Sequence, residues 1–177
     1  FWRSIAPDPE YALAFASLAE SSAERDFYLT TNAEAVEQAD AASRKAVALD
    51  PSLAEARAAR GLALMSLERP DEAAAELLVA MDLDPSLFEA PYTYARLLNL
   101  RGDPEKAARY FDIAAALNQD DYQAPTLASG IYRGLGRTVE MKRAAIRAGA
   151  DMVLPARSNT QSGAARQLAG GSRARRG

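Results

Sequence analysis

The sequence predicts an all-α protein in which antiparallel helix pairs stack into a right-handed superhelix. Two observations lead to this prediction. A short segment recurs at a fixed step along the chain, and each recurring unit contains two stretches whose apolar residues follow helical spacing. Proline, glycine and aspartate separate these stretches, which is typical of turns between short helices.

The repeat is clearest in the middle of the chain. The segment Leu49–Leu53, which reads LDPSL, recurs without change as Leu83–Leu87, and Pro70 recurs as Pro104. The same step relates Ala73 to Ala107, so the match extends beyond the turn. We therefore expect equivalent helix pairs over residues 51–84 and 85–118.

In the unit 51–84, the first helix is indicated by residues spaced three and four apart, from Leu53 to Leu67. Pro70 suits the first turn of a second helix, because proline lacks the amide hydrogen that is unsatisfied there anyway. Ala73, Leu77 and Ala80 form the apolar stripe of that second helix. Asp84 precedes proline and is disfavoured in the helical region, so the helix should end there.

The next two units follow the same plan with altered turns. In 85–118, Asp103 precedes Pro104 and can cap the second helix. In 119–153 the leading proline is absent, Gly136 keeps the inner turn, and the second helix is predicted to reach about Val153.

A divergent unit over residues 9–50 precedes these three. Its first helix should begin at Pro9, and Thr31 with Glu34 matches a capping box for a second helix over about 33–48. Pro9 and Pro51 are further apart than one repeat, so this unit carries about eight additional residues, which we place in a turn over 22–32. Residues 1–8 read as the end of a preceding, partial repeat, which predicts a piece of a longer protein.

These features resemble the tetratricopeptide repeat family. The resemblance rests on the 34-residue spacing, on small residues such as Gly61 and Ala73, and on the Leu-Asp-Pro turns. It implies a solenoid whose first helices line a concave groove that receives a peptide or a partner helix. It covers residues 1–153, and the arginine- and alanine-rich composition favours a bacterial origin.

The resemblance also implies where a partner would bind. The predicted groove residues are those that face outward from the first helices and offer aromatic, amide, thioether or guanidinium groups. They are Met65, Tyr92, Arg96, Asn99 and Arg133. Arg96 and Arg133 could take a carboxylate or a backbone carbonyl of the partner. Tyr92 could instead cover the seam between repeats, with both arginines solvated.

One subgroup of the family is disfavoured. Members that bind acidic C-terminal tails use a clamp of lysine, asparagine and arginine on the groove helices. This chain has lysine only at 45, 106 and 142, and Ala16 and Ala58 stand where such a clamp would begin.

Composition excludes most enzyme classes. The chain has no histidine and no cysteine, so it lacks a histidine base, a thiolate nucleophile and a Cys/His zinc site. The adjacent acids Asp120 and Asp121 are explained by helix capping, and no glycine-rich phosphate loop is present. We therefore predict a non-enzymatic protein without a metal or cofactor. No apolar run is long enough to span a membrane, and we expect a cytoplasmic location.

The last segment, 154–177, is polar and basic. It holds five arginines and no acid, and the chain carries a net charge of −3, which leaves −8 on residues 1–151. Its composition is typical of a disordered or non-native tail. The arginines are dispersed and lack neighbouring aromatics, so we do not predict nucleic-acid binding.

Three functional hypotheses follow. The first is a protein-interaction scaffold that holds a partner peptide or helix in the groove. The second is a regulatory or sensory arm of a larger bacterial signalling protein, such as a cyclase, a kinase or a transcription regulator. The third is self-association through exposed stack ends, for which Phe1, Trp2 and Ile5 are candidates.

Overall fold

The computed structural model describes residues 9–29 and 33–149, and α-helix is the regular structure throughout these ranges. The helices are α1 Pro9–Leu29, α2 Ala33–Leu49, α3 Ala54–Ser66, α4 Pro70–Leu83, α5 Glu89–Leu100, α6 Pro104–Leu117, α7 Gln123–Gly134 and α8 Thr138–Arg147. Each helix packs against the next along the chain, and the first helices α1, α3 and α5 also pack against one another. The predicted all-α stack of helix pairs is confirmed.

The additional residues of the first pair lengthen α1. The helix continues to Leu29, so the expectation of a turn over 22–32 is wrong for residues 22–29. No glycine or proline occurs in that stretch, and nothing in its sequence stops a helix. The predicted cap at Thr31, the partial repeat 1–8 and the tail 154–177 lie outside the described residues.

The inner turns of three pairs share one backbone conformation. Glu68, Gly102 and Gly136 occupy equivalent positions of the repeat and have positive φ angles of 56°, 77° and 71°. In each turn the next amide donates to a carbonyl five residues back, as Asp103 does to Leu98 at 3.0 Å. This left-handed position ends the first helix, and glycine suits it at two of the three sites.

The second helices begin and end where their turn residues dictate. Asp103 caps α6 as predicted, because its carboxylate accepts from the amide of Lys106 at 3.2 Å. Helix α8 ends at Arg147, earlier than the predicted 153, since Gly149 adopts a φ of 71°. A positive φ at glycine is a common helix terminator.

The turns between pairs depend on aspartate side chains. Asp50 accepts from the amide and the hydroxyl of Ser52 at 2.9 and 2.7 Å, and Asp84 does the same with Ser86. These hydrogen bonds hold the pKa of both carboxyls below its usual value. Where proline is absent, Asn118 accepts from the amide of Asp120 at 3.2 Å and keeps a similar turn.

The core is built from small residues at the helix crossings and larger ones between them. Ala73, Ala80, Ala107 and Ala114 are fully buried, and Leu77 and Phe111 fill the space beside them. Gly61 of α3 lies directly on Leu77 of α4. A Cβ at this glycine would stand 2.5 Å from the leucine Cγ, so the two helices meet where a side chain is missing.

A polar network joins the first two pairs. Arg60 of α3 is almost buried and donates to Asp40 at 2.6 Å and to the hydroxyl of Ser43 at 3.1 Å, both on α2. Arg44 forms a second ion pair with Asp40 at 2.8 Å. Burial alone would raise the pKa of Asp40, but the two arginines outweigh it and lower that pKa.

A tyrosine joins the last described helix pair to the pair before it. Tyr132 of α7 is buried and donates its hydroxyl to Asp112 of α6 at 2.7 Å. Arg137 lies over the ring with its guanidinium carbon 5.2 Å from the centroid. Burial, followed by the bond to Asp112, raises the pKa of Tyr132 to about 12. The proton therefore stays on the phenol at neutral pH.

The crossing at Gly61 gives a direct test. Gly61→Ala should lower the free energy of unfolding by roughly 1–3 kcal/mol, because the new methyl group meets Leu77. The control Gly130→Ala lies on an exposed part of α7 with nothing within 4 Å of its Cβ position. It should raise stability by about 0.5–1 kcal/mol, the ordinary gain of alanine in a helix. Urea unfolding measures both, and a gain for Gly61→Ala would show that this crossing is misplaced.

The Asp40 network predicts acid sensitivity. The pKa of Asp40 is lower in the folded chain than in the unfolded one, so its contribution is present above about pH 4 and is lost as the pH falls below that value. Asp40→Asn should cost about 1–3 kcal/mol at neutral pH, because it leaves the buried Arg60 poorly compensated. The loss of unfolding free energy caused by Asp40→Asn should be smaller when unfolding is measured at about pH 3.

The control for this test is Asp82→Asn, an exposed position on α4. It should leave stability unchanged at both pH values. An equal effect of the two substitutions would contradict the role of the network.

Candidate partner-binding groove

One face of three successive first helices lines a concave surface, which we call the groove. On each helix the lining residues follow the spacing i, i+3, i+4 and i+7, the pattern of a single helical face. They are Leu13, Ala16, Ser17 and Glu20 on α1, Glu55, Ala58, Ala59 and Leu62 on α3, and Glu89, Tyr92, Thr93 and Arg96 on α5. Asp121 and Gln123 extend the surface towards α7.

The repeat sets this register. Glu55 and Glu89 occupy equivalent positions of the repeat, and Gln123 follows at the same step, so one row of side chains runs across three helix pairs. Leu13 takes the corresponding place on α1, displaced by the additional residues of the first pair. The groove is therefore a direct product of stacking equivalent units.

The groove extends over three first helices. It consists of two depressions of about 260 and 180 Å³ that share Glu20, Leu62, Glu89 and Thr93. The two depressions spread along α1, α3 and α5 and do not form one enclosed cavity.

The floor of the groove is apolar and its walls are acidic. Ala16, Ala58, Ala59 and Leu62 form the floor, and these side chains are buried, so they add little bulk above the helix backbones. The charged lining comprises the carboxylates of Glu20, Glu55, Glu89 and Asp121 and the guanidinium of Arg96.

Tyr92 and Arg96, two of the predicted groove residues, lie together at the α5 side. Tyr92 is 9% exposed, packs between Phe88 and Phe111, and donates its hydroxyl to Gln123 at 3.0 Å. Arg96 is 7% exposed, and its guanidinium carbon lies 5.9 Å from the Tyr92 ring centroid. Tyr92 thus fastens the seam between α5 and α7 while it borders the groove.

The other three predicted residues occupy a different row. Met65, Asn99 and Arg133 hold equivalent positions of the repeat, and they lie at the carboxyl ends of α3, α5 and α7. Met65 packs partly buried against the cluster around Leu64, whereas Asn99 and Arg133 are exposed. None of the three lines the two depressions. Their part in binding stays a prediction.

Sequence reasoning left the alanine floor and the α1 wall out of the site. Glu55 and Leu62 were recognisable as surface-facing positions, and helical spacing could have extended them to Ala58 and Ala59. The contribution of α1 was hidden by the longer first unit, which breaks the regular step. All three lysines belong to second helices, outside the groove lining.

No group of three or more acidic, histidine or cysteine side chains within 9–29 and 33–149 is arranged to hold a metal ion. Among the described helices, none combines the length and apolar character required to cross a bilayer.

Comparisons with known proteins identify the fold. TTC0263, a thermophilic tetratricopeptide repeat protein of Thermus thermophilus, has 20% identity and a TM-score of 0.61, with 81% of this chain and 76% of that chain covered. MamA has 19% identity and a TM-score of 0.58, with 75% of each chain covered. The first tetratricopeptide repeat domain of Spaghetti (RPAP3), bound to the HSP90 peptide SRMEEVD, has 17% identity and a TM-score of 0.58, with 75% of this chain and 99% of that chain covered.

Neither a family profile nor a curated protein matches the sequence. The structural likeness nevertheless confirms the predicted resemblance at the level of the fold. The chain has the superhelical fold of tetratricopeptide repeat proteins.

Proposed function

We propose that this protein is a non-enzymatic interaction module that binds a peptide or helix of a partner protein in the groove. The observation that carries the proposal is the continuous concave face that α1, α3 and α5 build with one register of side chains. A partner segment lying on this face could bury Leu13, which is 45% exposed, above a floor formed by the already buried Ala16, Ala58, Ala59 and Leu62.

The fold supports this use of the groove. The first domain of Spaghetti (RPAP3) binds a peptide, SRMEEVD, and it shares the helix-pair architecture of this chain. The groove of the present chain is open to solvent, and Leu13 offers an exposed apolar side chain at its α1 edge. Both features favour a macromolecular partner over a metabolite.

Self-association is the second candidate, and one observation favours it. Val139 and Ile146 of α8 are 61% and 70% exposed, and their spacing of seven places them on one helical face. Both side chains lie on the last described helix, where a second copy of the chain could cover them.

The groove proposal is tested by selecting binders to the full chain from a random peptide display library. Leu13 of the groove and Leu78 of α4 are matched, at 45% and 43% exposed. Leu13→Gln should weaken a selected peptide about tenfold, because the partner would bury this side chain. Leu78→Gln should leave affinity unchanged. Equal effects of the two substitutions, or no effect of either, would rule out the groove as the binding site.

The self-association candidate predicts a concentration-dependent mass. Light scattering over a dilution series should show dimers for the parent chain, and Val139→Lys with Ile146→Lys should return the chain to a monomer. A parent chain that is monomeric at every concentration would rule this candidate out.

A further inference from the structure

We propose that the partner segment is a basic amphipathic helix, whose lysines or arginines meet the acidic walls while its apolar side faces the alanine floor. This inference rests on the groove function proposed above and adds the chemistry of the partner. Three properties of the groove lining support it. They are its negative charge, the absence of ion pairs at two of its glutamates, and the small side chains of its floor.

The charge of the groove is the first argument. Four carboxylates, those of Glu20, Glu55, Glu89 and Asp121, border it together with the guanidinium of Arg96. The wider surface has the same negative sign, because residues 1–151 carry −8. Such a field attracts a cationic segment, accelerates its encounter and disfavours an acidic competitor.

The pairing of the carboxylates is the second argument. Several acids elsewhere in the described chain form ion pairs with arginines, as Glu76 does with Arg57 at 2.9 Å and Glu140 with Arg137 at 2.6 Å. Glu55 and Glu89 are half-buried in the groove wall, and neither forms an ion pair with another described residue. A cationic side chain of a partner would supply the charge that the chain itself does not.

The positive charge of Arg96 does not change the negative sign of the groove lining. It is nearly buried against the Tyr92 ring, whereas Glu55 and Glu89 remain half-exposed. Arg133, the second arginine that sequence analysis assigned to an acidic partner, is exposed and lies outside the groove lining. The described lining thus combines four carboxylates with Arg96, and Arg133 stays a predicted contact outside it.

The shape of the floor is the third argument. Ala16, Ala58 and Ala59 are buried and carry only methyl groups, so no bulky side chain keeps a partner helix away from α1 and α3. Leu13, at the α1 edge of the floor, offers an exposed apolar contact. An amphipathic helix with apolar residues at i, i+3, i+4 and i+7 has the complementary pattern.

The test uses designed helical peptides that share leucine and alanine at the apolar positions and carry lysine, glutamine or glutamate at the polar ones. Binding to the full chain is followed by fluorescence anisotropy at low and high salt. We expect the lysine peptide to bind at least about tenfold more tightly than the glutamate peptide at low salt, and the advantage to shrink as salt screens the charges.

Groove variants show whether the advantage arises at the walls. Glu55→Gln with Glu89→Gln should weaken the lysine peptide about three- to tenfold, the loss expected for two partly exposed ion pairs. The control Glu37→Gln with Asp82→Asn removes the same charge from exposed positions on second helices and should change affinity less than about twofold. Urea unfolding of both double variants checks that their stability is unchanged.

The outcomes separate this inference from the groove function. A glutamate or glutamine peptide that binds as tightly as the lysine peptide, and is weakened by Leu13→Gln, overturns the basic partner but keeps the groove. Peptide binding that Leu13→Gln does not affect overturns both.

The same set of experiments also tests two other possible occupants of the groove, the tail 154–177 and a second copy of the chain. If replacing the five arginines of 154–177 by glutamine strengthens the lysine peptide about tenfold, the chain's own tail fills the groove and a separate partner is not needed. If Glu55→Gln with Glu89→Gln abolishes a dimer in light scattering, the occupant is a second copy. Either result overturns the proposal.

Discussion

The close approach of two helices where they cross governs the whole architecture. Gly61 of α3 has no side chain at the point where Leu77 of α4 contacts it. Small residues are also fully buried at the other crossings, namely Ala73, Ala80, Ala107 and Ala114. A helix pair of this length cannot bury its apolar stripe alone, so each pair is stable only against its neighbours. The close crossings fix the angle and the step of the stack. They also leave the opposite face of each first helix uncovered, and that face becomes the groove.

The groove and the core therefore have one origin. The rows that line it lie on the same helices whose other residues fill the seams, as Tyr92 shows by bordering the groove while it contacts Phe111 and Gln123. Side-chain hydrogen bonds join successive helix pairs, as Arg60 of α3 donates to Asp40 of α2 and Tyr132 of α7 donates to Asp112 of α6. Residues that line the groove and residues that fill the core thus occupy neighbouring positions on a helix, and substitutions at either set need stability controls.

The sequence predicted the fold well because turn chemistry repeats with the helices. Asp50 and Asp84, Pro70 and Pro104, and the left-handed Gly102 and Gly136 all mark helix boundaries that the structure confirms. It failed where local signals were missing or weak. Residues 22–29 contain no breaker and continue α1, and one glycine at 149 ends α8 early. Arg96 reads as a surface residue, yet it is nearly buried, because burial of an arginine depends on the neighbouring helix and not on its own spacing.

We propose that the face shared by α1, α3 and α5 is the docking surface, with its acids facing a cationic partner. Backbone amide chemical shifts of the full chain, recorded while the lysine peptide is added, would locate the bound peptide residue by residue. We predict shifts concentrated at 13–20, 55–62 and 89–96, with little change on α4 and α6. Shifts centred on the second helices, or spread evenly over the chain, would show that the partner docks elsewhere.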